Sequence, residues 1–472
     1  MINFVNVGPD GTFEASGDHV TKAADIDQLF QHLGSTSAKS LVVHFHGGLV
    51  SESDGVKIAG KMAPVFTDAG AVPLTFVWET GLVETFRDNL LKIHGTELFQ
   101  KLLKWLLRRV ASRFGGFGGR GAGVSVPMAE IEAELLKPTP FASYDDPETG
   151  KGAAARGSVA VGEADLDGLK QDLQEEFQED VDGDATVIAE VDALAGRKPD
   201  AEARGLISGL KTAKMLATIA YRMIRRHIRG RDHGFYPTVV EELLRELYLA
   251  DLGAWVWGRM KEKAAAMWLP NDGLSGEERR VGSYVLERIE ALQAARPDFR
   301  VNLVGHSAGS IAICELLRAV ATQGINVQVN TIAFLAPAGR SELGVTELVR
   351  HPNRFKRFRC YTMRDDYERE DQLVPRVYTR SLLYFISGVL EPDEVDAPLM
   401  GMMRHASGQS PFETGPAADW AGFMTAQQRL VLSDSTKIDP GAVAGRRTSS
   451  HSHGGFDDDG LTRESLTELL RA

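Results

Sequence analysis

The sequence predicts an α/β protein: a mostly parallel sheet with helices on both faces, interrupted by a large, mainly helical insertion. Two short apolar runs, SLVVHF at 40–45 and VPLTFVW at 72–78, read as strands buried on both faces. A helical pattern at 57–67 separates them, and the same alternation of strand and helix resumes after residue 276. Between Glu79 and Gly276 the alternation stops, leaving helical periodicity and loops without a convincing strand pair.

Taken in order, the elements suggest three segments. Residues 1–79 form the first part of the core, 80–276 the insertion, and 277–472 the rest of the core. At 472 residues the chain exceeds what one simple core usually holds. Within the insertion, 98–114 (LFQKLLKWLLRRVASRF) is a cationic amphipathic helix running into a glycine-rich hinge at 115–123. Residues 138–152 are loop-like. The acidic run 163–184 reads as a solvated face. Two longer helices are expected at 213–228 and 239–267. In the last segment a helix at 277–294 precedes the strand 300–304 and a helix at 307–321. Strands at 329–334 and 358–363, a helix at 378–390, a short strand at 430–432 and a helix at 461–470 complete the core. Asp457, Asp458 and Asp459 suit the positive N-terminus of that last helix.

Composition narrows the function. The hydrophobic fraction of 43% supports a sizeable core, and a net charge of -12 argues against nucleic-acid binding, which calls for a basic surface. The two cysteines, Cys314 and Cys360, form no CxxC pair and cannot build a zinc site alone. The N-terminus lacks a basic segment followed by an apolar run, so no secretory leader is expected. No charge-free apolar stretch of about 18 residues occurs. A cytoplasmic protein with no cofactor and no metal is the expectation.

The chemistry centres on Gly305-His306-Ser307-Ala308-Gly309, which follows the strand RVNLV and precedes an apolar helix. In a strand–turn–helix setting, G-x-S-x-G needs small residues beside the serine because the turn is sharp. The turn lifts the Ser307 hydroxyl out of the sheet and places the Ala308 amide at a helix N-terminus, where developing negative charge is stabilised. VNLVGHSAGS resembles the nucleophile elbow of the α/β-hydrolase superfamily, of the lipase and esterase kind, and the resemblance extends over 40–78 and 277–453. It implies a serine hydrolase with a second oxyanion donor after an early strand. VVHFHGGLV fits that place, with the amide of Gly48 or Leu49 as donor. His44 and His46 make an H-x-H pair, but no further ligand run follows, and buried histidines are the reading taken.

A serine nucleophile needs a base and a group that orients the base, and in this superfamily the chain order is Ser, acid, His. Asp371-Gln372-Leu373-Val374-Pro375 resembles the D-x-x-V-P that often carries the acid, which favours Asp371 over Asp365 and Asp366. SSHSHGGFD at 449–457 supplies the base: His453, before two glycines, ahead of His451. His405 sits in a poorly patterned segment and ranks below both. The expected reaction is cleavage of a small-molecule or lipid ester through an acyl-enzyme. An acyltransferase or amidase with the same triad, or a silent scaffold that binds a partner through the insertion, are the rivals. The helix at 98–114 could lie on an anionic membrane; as a cap helix packing its apolar stripe it needs no membrane, and that reading is preferred. The basic run 222–231 could bind an anionic head group or pair with the acidic stretch.

Overall fold

The computed structural model describes residues 2–48, 50–78, 83–114, 123–145, 166–196, 206–249, 252, 254–391 and 394–471. The expected oxyanion donor Leu49 and most of the glycine hinge, 115–122, lie outside the described residues. The chain divides into two compact units. The first comprises Met1–Thr85, Trp255–Asp371 and Pro398–Ala472; the second comprises Phe86–Ala254 and Gln372–Ala397.

The first unit is built on a seven-stranded sheet, all parallel. Its strands are β1 (Phe4–Asn6), β2 (Ser40–Phe45), β3 (Val72–Val77), β4 (Arg300–His306), β5 (Val329–Leu335), β6 (Phe355–Thr362) and β7 (Leu430–Leu432). They run in the order β1-β3-β2-β4-β5-β6-β7. Strands β2, β4 and β5 are buried almost throughout, which explains their continuous rather than alternating apolar sequences. On one face Val42, Val304, Ala333 and Tyr361 meet Met62, Val65 and Phe66 of the helix Glu52–Asp68 and Leu466, Leu469 and Leu470 of the helix Gly460–Arg471. On the other, Phe45 and Phe76 pack with Trp268, and Phe334 and Phe358 with Trp420 and Phe423.

The strand order reverses between β2 and β4. From β2 the chain steps outward to β3; it then returns to pair β4 on the opposite side of β2, with Phe45 level with Gly305. In open parallel sheets the crevice at the carboxyl ends of such a pair is the usual ligand site. The G-x-S-x-G turn leaves β4 there, and the HGG loop leaves β2 beside it.

The second unit is helical. The helix Glu97–Ala111 buries Leu98, Phe99, Leu102, Leu103, Leu106 and Leu107. Its cations are paired: Lys104 with Glu132, Arg108 and Arg109 with Asp180, and Arg113 with Glu176. Asp180 and Glu176 belong to the acidic helix Leu166–Asp182, so this acidic run is partly a docking face rather than a purely solvated one. The expected helix 239–267 is two helices, Phe235–Leu247 in this unit and Ala254–Ala266, most of which belongs to the first. The basic run 222–231 is also paired inward, with Arg222 on Glu246, Arg226 on Glu241 and Glu242, and Arg231 on Glu394.

The boundaries differ from the expected 80–276: residues 255–276, expected in the insertion, belong to the sheet unit. Residues 372–397, expected in the sheet unit, join the helical one. Glu241 accepts from the Tyr378 hydroxyl at 2.5 Å, and His233 lies 2.7 Å from Glu241 and 2.8 Å from Asp396. A buried carboxylate demands partners, and 372–397 supplies them. Gly388 lets this segment approach: a Cβ there would stand 2.5 Å from the Glu241 carboxyl carbon. No helix among the described residues is long and apolar enough to cross a membrane.

Candidate active site

Ser307 sits one residue beyond β4 with φ 53, in left-handed backbone that a serine rarely adopts. Such strain persists only where the surroundings impose it. The Ser307 amide donates to the Leu335 carbonyl at 2.8 Å, while the Ser307 carbonyl accepts from the Ala338 amide at 3.0 Å and the Ser310 hydroxyl at 2.7 Å. The flanking glycines are required sterically. A Cβ on Gly305 would stand 2.8 Å from the Gly309 carbonyl carbon, and one on Gly309 would stand 2.3 Å from the Phe45 carbonyl oxygen. Ala308 caps the helix Gly309–Thr322, whose first amides have no intrahelical acceptor.

The HGG loop is held beside this turn by His46. Its Nδ1–H donates to the Gly47 carbonyl at 2.7 Å, and its Nε2 accepts from the Trp78 amide at 3.3 Å, so the ring is neutral with the proton on Nδ1. Burial lowers its pKa to about 4. A Cβ on Gly48 would meet Ala308 Cβ at 2.6 Å and Met260 Sδ at 2.1 Å, so only glycine fits against the elbow. Gly48 therefore lies against Ala308 of the elbow. His44, the other member of the H-x-H pair, is fully buried, 3.1 Å from the Thr75 hydroxyl.

The structure brings His453 to Ser307. Ser307 Oγ and His453 Nε2 are 2.9 Å apart, and the residues are 5% and 7% exposed, so bulk water is largely excluded. Burial, with the charge of His306 adding to it, lowers the His453 pKa to about 3, leaving the ring neutral near pH 7 and able to accept the serine proton.

Asp371 is in the site, but not in the expected contact. Its Oδ2 accepts from the His453 backbone amide at 2.7 Å. His453 Nδ1, which must carry the ring proton when Nε2 accepts, is buried and has no hydrogen-bond partner among the described residues. Asp371 thus fixes the loop that carries the base rather than the imidazole itself. The second-ranked residues lie elsewhere. Asp366 is exposed and paired with Arg364, and Asp365 opens the short helix Asp365–Glu370. His451 is turned outward, its side chain 52% exposed, stacked on Tyr367 and 3.2 Å from Asp434. His405 is buried and accepts from the Leu399 amide.

Two residues escaped the sequence reading. His306, inside the motif itself, is buried behind the serine and lies 3.1 Å from Asp457 Oδ2 through Nδ1 and 2.9 Å from the His453 carbonyl through Nε2. Burial pulls its pKa down most strongly, but the Asp457 carboxylate and the His453 carbonyl together outweigh it and the net shift is upward. Burial likewise opposes ionisation of Asp457, yet His306 brings that carboxyl down to about 2. Asp457 was assigned to a helix N-terminus; Asp459 fills that role, accepting from the Thr462 amide at 2.9 Å. No local signal marks the pair, because His306 and Asp457 stand 151 positions apart in the chain.

No family model, curated protein or solved structure matches this chain.

Proposed function

We propose that this chain is a serine hydrolase that cleaves a carboxylic ester, of a small molecule or a lipid, through an acyl-enzyme on Ser307. The observation that carries the reading is the 2.9 Å contact between Ser307 Oγ and His453 Nε2, made by a serine in strained backbone where the strand order reverses. The resemblance of VNLVGHSAGS to the α/β-hydrolase elbow supports it independently.

His453 Nε2 accepts the Ser307 proton as Oγ attacks the carbonyl carbon. The carbonyl oxygen takes the negative charge, with the amides of Ala308 and Gly48 as donors. His453 then passes its proton to the leaving alkoxide, and water, activated by the same nitrogen, releases the acid. With no hydrogen-bond partner on Nδ1 among the described residues, the imidazolium is stabilised by the oxyanion formed beside it. Both cysteines are buried and free, which fits a reducing compartment such as the cytoplasm.

A fluorophosphonate probe tests the reading on the full chain. Labelling that disappears in Ser307→Ala supports it; a folded wild-type protein that never labels favours a silent scaffold. Rates on p-nitrophenyl esters of increasing acyl length then separate a short-chain esterase from a lipase.

A further inference from the structure

The nucleophile and base account for Ser307 and His453, but not for His306, the buried histidine immediately before the serine. His306 has two partners, and both are acceptors: the Asp457 carboxylate at 3.1 Å and the His453 carbonyl oxygen at 2.9 Å. A neutral imidazole has one N–H, so two acceptors require both ring nitrogens to donate. The ring is therefore an imidazolium, with Asp457 as its counter-ion, in a site where both groups are buried. An unpaired charge could not persist there, and each partner offsets the other's charge, through Asp457 Oδ2.

We propose that His306 is a positioning residue: clamped by Asp457, it holds the loop bearing the base through the carbonyl of His453, while Asp371 holds the same residue through its amide. The backbone of His453 is gripped at both polar atoms, by residues 147 and 82 positions away in the chain. This explains how a base with no partner on Nδ1 keeps its ring aimed at Ser307. The clamp also places a positive charge beside the base, the two rings lying 5.5 Å apart between centroids. That charge disfavours a second proton on His453 and keeps it a free base in mildly acidic solution.

The other charged or titratable groups around the pair are few. His44 and His46 lie on the strand and loop of β2, and both are neutral by burial. Lys61 acts on Asp457 from the helix Glu52–Asp68, and Lys263 on His46 from the helix Ala254–Ala266. Asp371 approaches from the segment after β6.

This inference rests on the hydrolase reading, and one experiment separates the two. Second-order labelling rates of the full chain by a fluorophosphonate are measured from about pH 4 to about pH 9, with circular dichroism confirming the fold at each pH. Glutamine in His306→Gln keeps an N–H for the His453 carbonyl but removes the charge. Its acid limb is expected to move up by roughly one to two pH units. Asp457→Asn removes both the carboxylate and the reason for the charge; its limb moves the same way by less, because the lost carboxylate had opposed the imidazolium. Wild-type labelling should stay flat down to about pH 5. A wild-type limb near the ordinary histidine value overturns the inference without any variant. Unchanged limbs in both variants, with only the plateau rate lowered, overturn it too and leave a purely structural role. A wild-type chain that labels at no pH sinks the hydrolase reading instead.

Discussion

Asp371 illustrates how much depends on which atom a carboxylate reaches. An acid that orients the imidazole loses about 10⁴ in rate when changed to the amide, because the wrong tautomer is then held. Here the acceptor serves a backbone N–H, and an asparagine oxygen can do the same. Asp371→Asn is expected to cost less than about tenfold in kcat/KM, whereas Asp371→Ala, which orphans a buried amide worth about 1–3 kcal/mol, should cost more. Comparing ester hydrolysis by the two variants decides it; a loss near 10⁴ for the asparagine would mean that the carboxylate moves to Nδ1 during turnover. Gly309 makes a second test. A methyl group there meets the Phe45 carbonyl at 2.3 Å, backbone that cannot yield, so Gly309→Ala should destabilise the fold by about 3 kcal/mol in denaturant titrations.

Among the elements, the helix Glu97–Ala111 shows composition and packing pulling apart. Leucines, Trp105 and four cations at helical spacing suit a membrane surface. The packing supports the quieter alternative. The leucines are buried within the helical unit, and the cations reach the carboxylates of Asp184, Glu132, Asp180 and Glu176. The full chain is therefore expected to stay at the bottom of a flotation gradient with anionic vesicles. Flotation that is lost on replacing Lys101, Lys104 and Arg108 by glutamine would reinstate the interfacial reading. The Asp180 carboxylate holds two guanidinium groups at 2.8 Å and is well shielded, so a double-mutant cycle of Arg109→Ala with Asp180→Ala should return about 1 kcal/mol of coupling.

For the molecule as a whole, the two units carry different acid sensitivities. The sheet unit buries three histidines held neutral, His44 and His453 near 3 and His46 near 4, against an ordinary value of 6.5. The unfolded chain binds these protons first, so stability falls as pH drops below 6.5. His306 has the opposite shift: its contribution is complete below 6.5 and is lost as pH rises through its folded value. In the helical unit Glu241 is a strongly shifted acid. Burial opposes its ionisation, but the His233 and Arg226 partners bring it to about 2 from 4.5. That stability is present above 4.5 and lost as pH falls toward 2, with the partly buried His94 adding a smaller loss below 6.5. Acid titration should accordingly unfold the sheet unit first, followed by near-ultraviolet dichroism and limited proteolysis; simultaneous loss of both units would contradict the assignment.

Much of this protein was readable from neighbouring residues alone. The β2 and β7 limits, the strand–turn–helix around Ser307 and the choice of His453 over His451 all rest on contiguous stretches, where sterics, glycine content and apolar period act locally. The three-residue strand β1 carried no such period and exists through its pairing with β3, Phe4 level with Thr75. The order of strands, the membership of 372–397 and the atom that Asp371 grips were equally hidden. So was the charged pair of His306 and Asp457, whose residues stand 151 positions apart. Each of these depends on which distant groups a buried charge or unpaired amide finds once water is gone, and that choice is made by chain packing rather than by any local pattern.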